Sequence, residues 1–505
     1  METQEATHGP ASVGTESADE IGRVEARGID YVPESDRHSN PRNLGWAMFG
    51  PQFGFGNMIF GSFGIAFGLS WWSTVTAVTV GVALGSLIFA GVAIQANKTG
   101  TNNAVTSGAF FGVHGRLLGS LISLFIGLGF FAILVWTSGQ TIISVFHRIF
   151  DSGTGNVALS IAMGAVCLIS FVLAIYGHAT LVASFRFIAI GSALVSVLAV
   201  VVLSDKFTAV HQSKLLLGDY WPTWVLTMVL AASLPVSWGP FIGDYGRYIP
   251  SKVSGFTCAL WAGAGIFFGC WISELIGAYA ATTFKDPTAP FAVGFPDASA
   301  LWLAILLMIF PGGLANIESA AMSVYNCALD VHALFYRLTR AQLTFIMSVV
   351  GLATAYIALI GFDAISSIEA FVTLMLVTLT PWMVIMTVGH IMRRGRYKPM
   401  DLHTYAEKGR KGIYWFNGGV NWRAFLAWAI ATGVGMLFAS TSIVTGPLTD
   451  HVSGIDLSFV SAAVVGGVLY FAFAKIFPET GADPGKTPAA PVEVTQPPPT
   501  AAPAS

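Results

Sequence analysis

Trp46-Ala-Met-Phe-Gly-Pro-Gln-Phe-Gly-Phe-Gly-Asn57 is the stretch whose reading decides the fold. It lies inside the first long apolar segment, roughly Leu44 to Leu69, yet carries Gly50, Pro51, Gly54 and Gly56 in close succession. Proline removes a backbone donor and glycine loosens a helix, so an uninterrupted helix is not expected here. In hydrocarbon, a broken backbone survives only where it is buried in protein or faces a wet cavity. Gln52, with donors and an acceptor on one side chain, stands at the break. The stretch therefore reads as half of a binding site near the bilayer midplane.

The rest of the chain supplies the membrane. Of 505 residues, 54% are hydrophobic and only 10% charged, and the mean hydropathy is +0.68. Soluble globular proteins carry about 25% charged residues, so the expected class is an all-α polytopic membrane protein. A span needs about 20 mostly apolar residues. Counting on that basis gives twelve, near 44–69, 71–95, 118–146, 157–177, 181–204, 222–243, 255–283, 299–329, 341–361, 364–392, 422–444 and 455–477. With the N-terminus inside, only Arg148, Lys206, Lys214 and Lys285 fall outside, leaving 21 of the 25 Lys and Arg on the cytoplasmic side. That asymmetry is what the positive-inside rule demands and puts both termini in the cytoplasm.

Residues 1–41 form a polar segment without the apolar core of a signal peptide, so a cytoplasmic tail is expected there. Residues 42–477 form the membrane domain. Residues 478–505, rich in Pro, Ala and Thr, are expected to be a disordered cytoplasmic tail. Gly481–Thr487 mimics a phosphate loop, but its glycine spacing is one residue short and no strand precedes it. Asn97-Lys-Thr99 matches a glycosylation acceptor on the wrong side of the membrane. Cys167, Cys258, Cys270 and Cys327 sit in apolar segments without metal-ligand spacing and read as small core residues. Gly81 and Gly85, four residues apart in span two, suit close helix packing.

Span six carries its own interruption, Ser233-Leu-Pro-Val-Ser-Trp-Gly-Pro-Phe-Ile-Gly-Asp244. Breaks in spans one and six, five spans apart, are what a 5+5 inverted repeat produces, with the two unwound helices facing each other across a substrate site. The repeats would cover 44–204 and 222–392, with two extra helices at 422–477.

Ionisable groups inside spans are functional candidates by default. They are Glu274, Glu318, Glu369 and His390, the last beside Arg393 and Arg394 at the membrane edge. Glu318 leads, because Ser319 and Ser323 follow it on one helical face and a carboxyl at mid-membrane depth can bind and release a proton. Among the aromatics, Phe130 and Phe131 of span three and Trp238 beside the span-six break stand apart. A flat heteroaromatic ring stacked on such side chains gains ~1–3 kcal/mol per base, and its polar edge could pair with Gln52.

Four further stretches resemble the nucleobase–cation symport family, the purine–cytosine permeases. They are Ser237-Trp-Gly-Pro-Phe-Ile-Gly-Asp-Tyr-Gly-Arg-Tyr-Ile-Pro250, Tyr325-Asn-Cys-Ala-Leu-Asp330 followed by Arg340, Arg394-Gly-Arg-Tyr397, and Tyr414-Trp-Phe-Asn-Gly-Gly-Val-Asn-Trp-Arg-Ala-Phe425. The resemblance spans about Arg42 to Phe477 and implies the leucine-transporter type fold. It implies that Gln52 meets substrate and that the backbone of Met48 and Pro51 forms the turn that offers carbonyls to sodium in sodium-dependent members. It puts the family's stacking tryptophan on Phe130, the polar residue one turn later on Leu134, and the substrate-binding asparagines of span eight on Ser319 and Ser323. Glu318 then replaces a sodium-coordinating hydroxyl, which favours proton over sodium coupling.

The function expected is secondary active import of a cytosine- or purine-type nucleobase by cation symport, through alternating access. A related ring compound (hydantoin, allantoin, thiamine or pyridoxine) is the runner-up substrate, and a passive channel or a sensor is the rival class. An enzyme is not expected, since His-Glu-x-x-His, Gly-x-Ser-x-Gly and cysteine–histidine clusters are all missing. No cofactor beyond the coupling proton or sodium, no nucleic acid and no obligate protein partner are expected, and the lipid bilayer of the plasma membrane is the surroundings.

Overall fold

The computed structural model describes residues 31–176, 178–210, 214–332, 338–404 and 411–479. Most of the expected N-terminal tail, the phosphate-loop mimic and nearly all of the C-terminal tail lie outside the described residues. Among those residues the fold is helical, with only two isolated β-bridges, Asn417 to Val420 and Ser440 to Thr445. Among the described residues nine helices are long and apolar enough to cross a membrane, and three more apolar helices are shorter: Phe55–Ala66, Phe187–Val202 and Trp422–Leu437. Together they fill the twelve expected places, and the broken first span shows why one of them is short.

Span one runs as Pro41–Phe49, a 3-10 turn Gly50–Gln52, and Phe55–Ala66. Asn40 caps its start by accepting from the Asn43 N–H at 3.1 Å, with Pro41 at the first helical position. Span six breaks within the expected stretch. Pro235 stays inside the helix Tyr220–Ser237, and the interruption begins at Trp238 with a 3-10 turn Gly239–Phe241 before Ile242–Gly246. A proline kinks the turn preceding it, and the Gly239-Pro240 pair that follows ends the helix. Span eight holds an irregularity not expected from sequence, a π turn Phe310–Leu314 around Pro311-Gly312-Gly313.

Helix pairing shows the repeat. Spans one, two, six (Tyr220–Gly246) and seven (Gly255–Ala281) pack as one bundle. Spans three (Leu117–Phe150), four (Asn156–Tyr176), eight (Leu301–Val331) and nine (Ala341–Ile360) form a second body. In the first body helices one and two of each repeat meet their counterparts, and in the second helices three and four do. Spans eleven (Trp422–Leu437) and twelve (Ser458–Ile476) pack on each other and on span ten (Ala364–Met392).

Glycine allows the bundle its closeness. A Cβ on Gly81 would stand 2.2 Å from the Met228 carbonyl oxygen, and one on Gly85 2.4 Å from that of Ala232. Spans two and six therefore touch backbone to backbone, the packing role expected of that glycine pair.

The loops sort by charge. The basic loops meet at one end, where Lys98 after span two donates to the Ser251 and Val253 carbonyls before span seven and Arg393 after span ten donates to the Ala109 carbonyl. Arg148 and Lys206 hold carbonyls of residues 296 to 299 at the opposite end. Asn97, the glycosylation look-alike, is buried with its amide spent on the Pro250 and Val253 carbonyls.

Two expected tail boundaries shift. Residues 31–40 are packed against the loop after span two, with buried Arg37 donating to the Val32 and Asn97 carbonyls. At the other terminus Glu479 pairs with Arg393 at 2.7 Å and accepts from Asn421 at 2.7 Å. A carboxylate with a buried arginine partner pins chain that composition alone assigns to a tail.

Candidate functional site

A cavity of about 60 Å³ lies between the two bodies, and spans one, three, six and eight each contribute a wall. Phe130 and Trp238 both line it, as do Ser319, Ser323, Pro51 and Leu134. Of the residues expected to bind substrate or cation, Pro51, Phe130, Trp238, Ser319 and Ser323 thus converge, while Gln52, Met48 and Glu318 stand outside the lining. The span-eight wall reads Ser319, Met322, Ser323, Asn326, a spacing of three and four that keeps one helical face inward. Phe130 sits in an aromatic cluster, 6.1 Å from Phe60 and edge-on to Phe371 at 5.5 Å. Its neighbour Phe131 is core, filling the space beside Gly351 of span nine.

Gln52 is placed differently. It is fully buried behind the wall, its Nε2 donating to the Met48 carbonyl at 3.0 Å. Its Oε1 accepts from Asn57 Nδ2 at 3.0 Å and from the Cys270 thiol at 3.5 Å. The side chain that reaches the cavity lining is Asn57, which also touches the Pro51 carbonyl at 3.4 Å. The carbonyls of the turn, Met48 and Pro51, are thus each met by an amide N–H from within the same span.

The second half of span one, Phe55–Ala66, also needs a cap, since Gly54 at its N-cap has no side chain to offer. Span eight supplies it. Asn316 Oδ1 accepts from the Gly56 N–H at 3.0 Å, while its Nδ2 donates to Thr137 Oγ1 of span three at 3.0 Å. The positive end of this half-helix opens beside the cavity, the place where transporter folds hold electron-rich ligand atoms. At the span-six break, Asn103 performs the matching service, its Nδ2 donating to the Gly239 carbonyl at 2.8 Å.

The roles of Asn57, Asn103, Asn316 and Asn326 are not among those expected from the sequence. Their common signal was an amide in or beside an apolar segment, next to a helix break in the first and third cases. Asn326 lines the cavity, and its side chain has no hydrogen-bond partner among the described residues. Asn326 and Phe241 also border a small polar cleft, where Asp244 and Asp330 meet. Asp330 accepts a hydrogen bond from Ser123 and faces the charge of Arg116.

The carboxyls separate by surroundings. Glu318 is 3% exposed, in the first helical turn after the π turn of span eight, and its side chain is not in the cavity lining. Glu369 accepts from the Ser442 N–H at 3.0 Å and Oγ at 2.5 Å, tying span ten to the loop between spans eleven and twelve. Glu274 is wholly buried, with neither oxygen bonded among the described residues. His390 is buried against Tyr397, its Nδ1 2.8 Å from that hydroxyl.

A family model described as "Permease for cytosine/purines, uracil, thiamine, allantoin" matches residues 31–466. The chain belongs to this permease family. A putative purine-cytosine permease of Bacillus subtilis (strain 168), YxlA, is 25% identical over 459 residues, covering 90% of this chain and 96% of the relative. Among solved structures, Mhp1, a nucleobase-cation-symport-1 family transporter, in a closed conformation with bromovinylhydantoin bound, matches with a TM-score of 0.68 at 19% identity. That match covers 90% of this chain and 96% of Mhp1. The inward-facing conformation of Mhp1 matches with the same score at 17% identity, covering 91% and 97%. These likenesses establish the fold, the leucine-transporter type, and the family makes the chain a multi-pass membrane transporter. Within this family's frame the cavity lies where spans one and six break, between the two repeats.

Proposed function

We propose that this permease imports a cytosine- or purine-type nucleobase across the plasma membrane in symport with a proton, by alternating access. The observation that carries the substrate class is the cavity itself. Two aromatic side chains, Phe130 and Trp238, face the same narrow space, and the amides and hydroxyls of Asn57, Asn326, Ser319 and Ser323 rim it. A planar base presents two π-faces to such rings and a donor–acceptor edge to such groups. The Bacillus subtilis relative, a putative purine-cytosine permease, agrees with that chemistry. Leu134 makes one stretch of wall apolar, which favours a substrate with an unsubstituted carbon edge there. Mhp1 is solved with a hydantoin bound, so hydantoins belong in any substrate panel.

Proton coupling is supported by the turn of span one and by Glu318. The Met48 and Pro51 carbonyls already accept from Gln52 and Asn57, and a buried carboxyl replaces the hydroxyl that the family resemblance puts at position 318. Symport requires that proton and substrate each favour one of the two access states. The protonation of Glu318 would supply that bias.

The test uses purified full-length protein in proteoliposomes with labelled cytosine, adenine, guanine, uracil and hydantoin. Accumulation of a nucleobase should follow an inward proton gradient and be indifferent to sodium. Glu318→Gln should lose uphill accumulation while retaining counterflow exchange. Accumulation that requires sodium and ignores pH, or undiminished uphill uptake in the variant, would overturn the coupling assignment. Uptake of hydantoin alone would overturn the substrate class.

A further inference from the structure

A second cavity, of about 450 Å³, opens at the end of the molecule where the basic loops gather. Three segments far apart in sequence build it: the loop after span two with Lys98, the loop into span seven with Ser251 and that span's first residues Gly255 and Phe256, and the end of span ten with His390 and Arg394. None of these residues takes part in the substrate cavity.

The chemistry of this pocket is cationic. Lys98 Nζ donates to the Ser251 and Val253 carbonyls, both at 2.7 Å, which fixes the ammonium and leaves one of its three donors. Burial lowers the Lys98 pKa, a cost that an anion alongside would offset. Arg394 is exposed, and its guanidinium has neither a hydrogen bond nor an ion pair among the described residues. Its backbone stands in the left-handed region at φ 51°, so the chain turns sharply there as span ten ends. Span seven begins at Ser254 without a side-chain cap, and its first turn lines the pocket, adding the positive end of a 27-residue helix. The neighbouring carboxylate, Glu34, is already engaged, Oε1 by the Ser251 N–H at 2.8 Å and Oε2 by Arg37 at 3.0 Å.

The mouth of the pocket is flanked by apolar side chains that point away from the protein. Phe256 is 68% exposed, Leu260 one turn later 60%, and Ile391 63%. On membrane-spanning helices such a surface faces hydrocarbon. A cationic recess beside two apolar tracks is complementary to a phosphate carried on acyl chains.

We propose that this pocket binds a phosphate group, with Lys98, Arg394 and the first turn of span seven as its ligands, and that the apolar flank selects the phosphate of an anionic phospholipid.

Native mass spectrometry of the full-length protein, extracted from vesicles of mixed phosphatidylcholine and phosphatidylglycerol, measures the preference directly. The wild type should retain phosphatidylglycerol over phosphatidylcholine. Arg394→Gln should cut that preference about fivefold, the scale of one basic residue beside an anionic lipid, while Lys475→Gln at the end of span twelve should leave it intact. A parallel arm adds inorganic phosphate to delipidated protein and follows thermal unfolding. Stabilisation by phosphate without lipid preference would uphold the phosphate site and remove the lipid as its source. Equal retention of both lipids with no phosphate effect would overturn the proposal, as would a wild-type preference in Arg394→Gln. If that variant does not fold, Ser251→Asp, which adds a carboxylate at the rim, should produce the same loss, and an unchanged preference there would be equally decisive.

Discussion

Asn316 does the most at the scale of single residues. One amide satisfies the orphan N–H of Gly56 and donates to Thr137, so spans one, three and eight meet on one side chain. Replacing it by alanine leaves a buried donor unmet, at a cost of about 1–3 kcal/mol. Asn316→Ala should therefore lower the thermal unfolding midpoint of the solubilised protein, and an unchanged midpoint would mean that another acceptor replaces it. Gln52 at the break was legible in the sequence, as were the rings Phe130 and Trp238. That Gln52 turns inward to Met48 while Asn57 takes the cavity side was not, because the two amides compete for carbonyls of one turn and only the folded turn decides between them.

Close approach of backbones governs the helices. A Cβ on Gly61 of span one would stand 1.8 Å from the Glu274 carbonyl oxygen, and one on Gly277 of span seven 1.8 Å from that of Met58. The second half of span one thus lies directly on span seven, with a glycine from each side at the crossing. Gly277→Ala should push the helices apart and destabilise the fold by about 1–3 kcal/mol, the usual penalty for overpacking. Differential scanning of the detergent-solubilised variant would register it, and a wild-type midpoint would show that the crossing has slack. The breaks in spans one and six are readable from Gly and Pro, but which turn of the Ser233–Asp244 stretch opens is not, and neither is the π turn of span eight. Proline marks where a helix is weakened. Where it opens depends on which partners, here Asn103 at the Gly239 carbonyl, can satisfy the freed groups.

For the whole molecule, two bodies of four spans enclose the candidate substrate cavity, and the basic loops lie together at one end. If that end is cytoplasmic, as the charge asymmetry demands, a fluorescent protein fused at the C-terminus should fluoresce, and an alkaline phosphatase fused there should be inactive. The opposite pattern would invert the topology and, with it, the direction assigned to transport.

Composition and hydropathy by themselves determined a twelve-span helical membrane protein, and punctuation by Gly and Pro determined which spans are interrupted and that the interruptions are matched. These follow from hydrocarbon, which tolerates few charges and no unsatisfied backbone. Only the tertiary structure decided which side of each helix faces the cavity and that Glu479 belongs to the packed domain. It also decided why Glu369 is bonded to a loop while the Glu274 oxygens meet no donor among the described residues. Those outcomes rest on contacts between residues far apart in sequence, where a carboxyl or amide takes whichever partner the packing of other helices brings within reach.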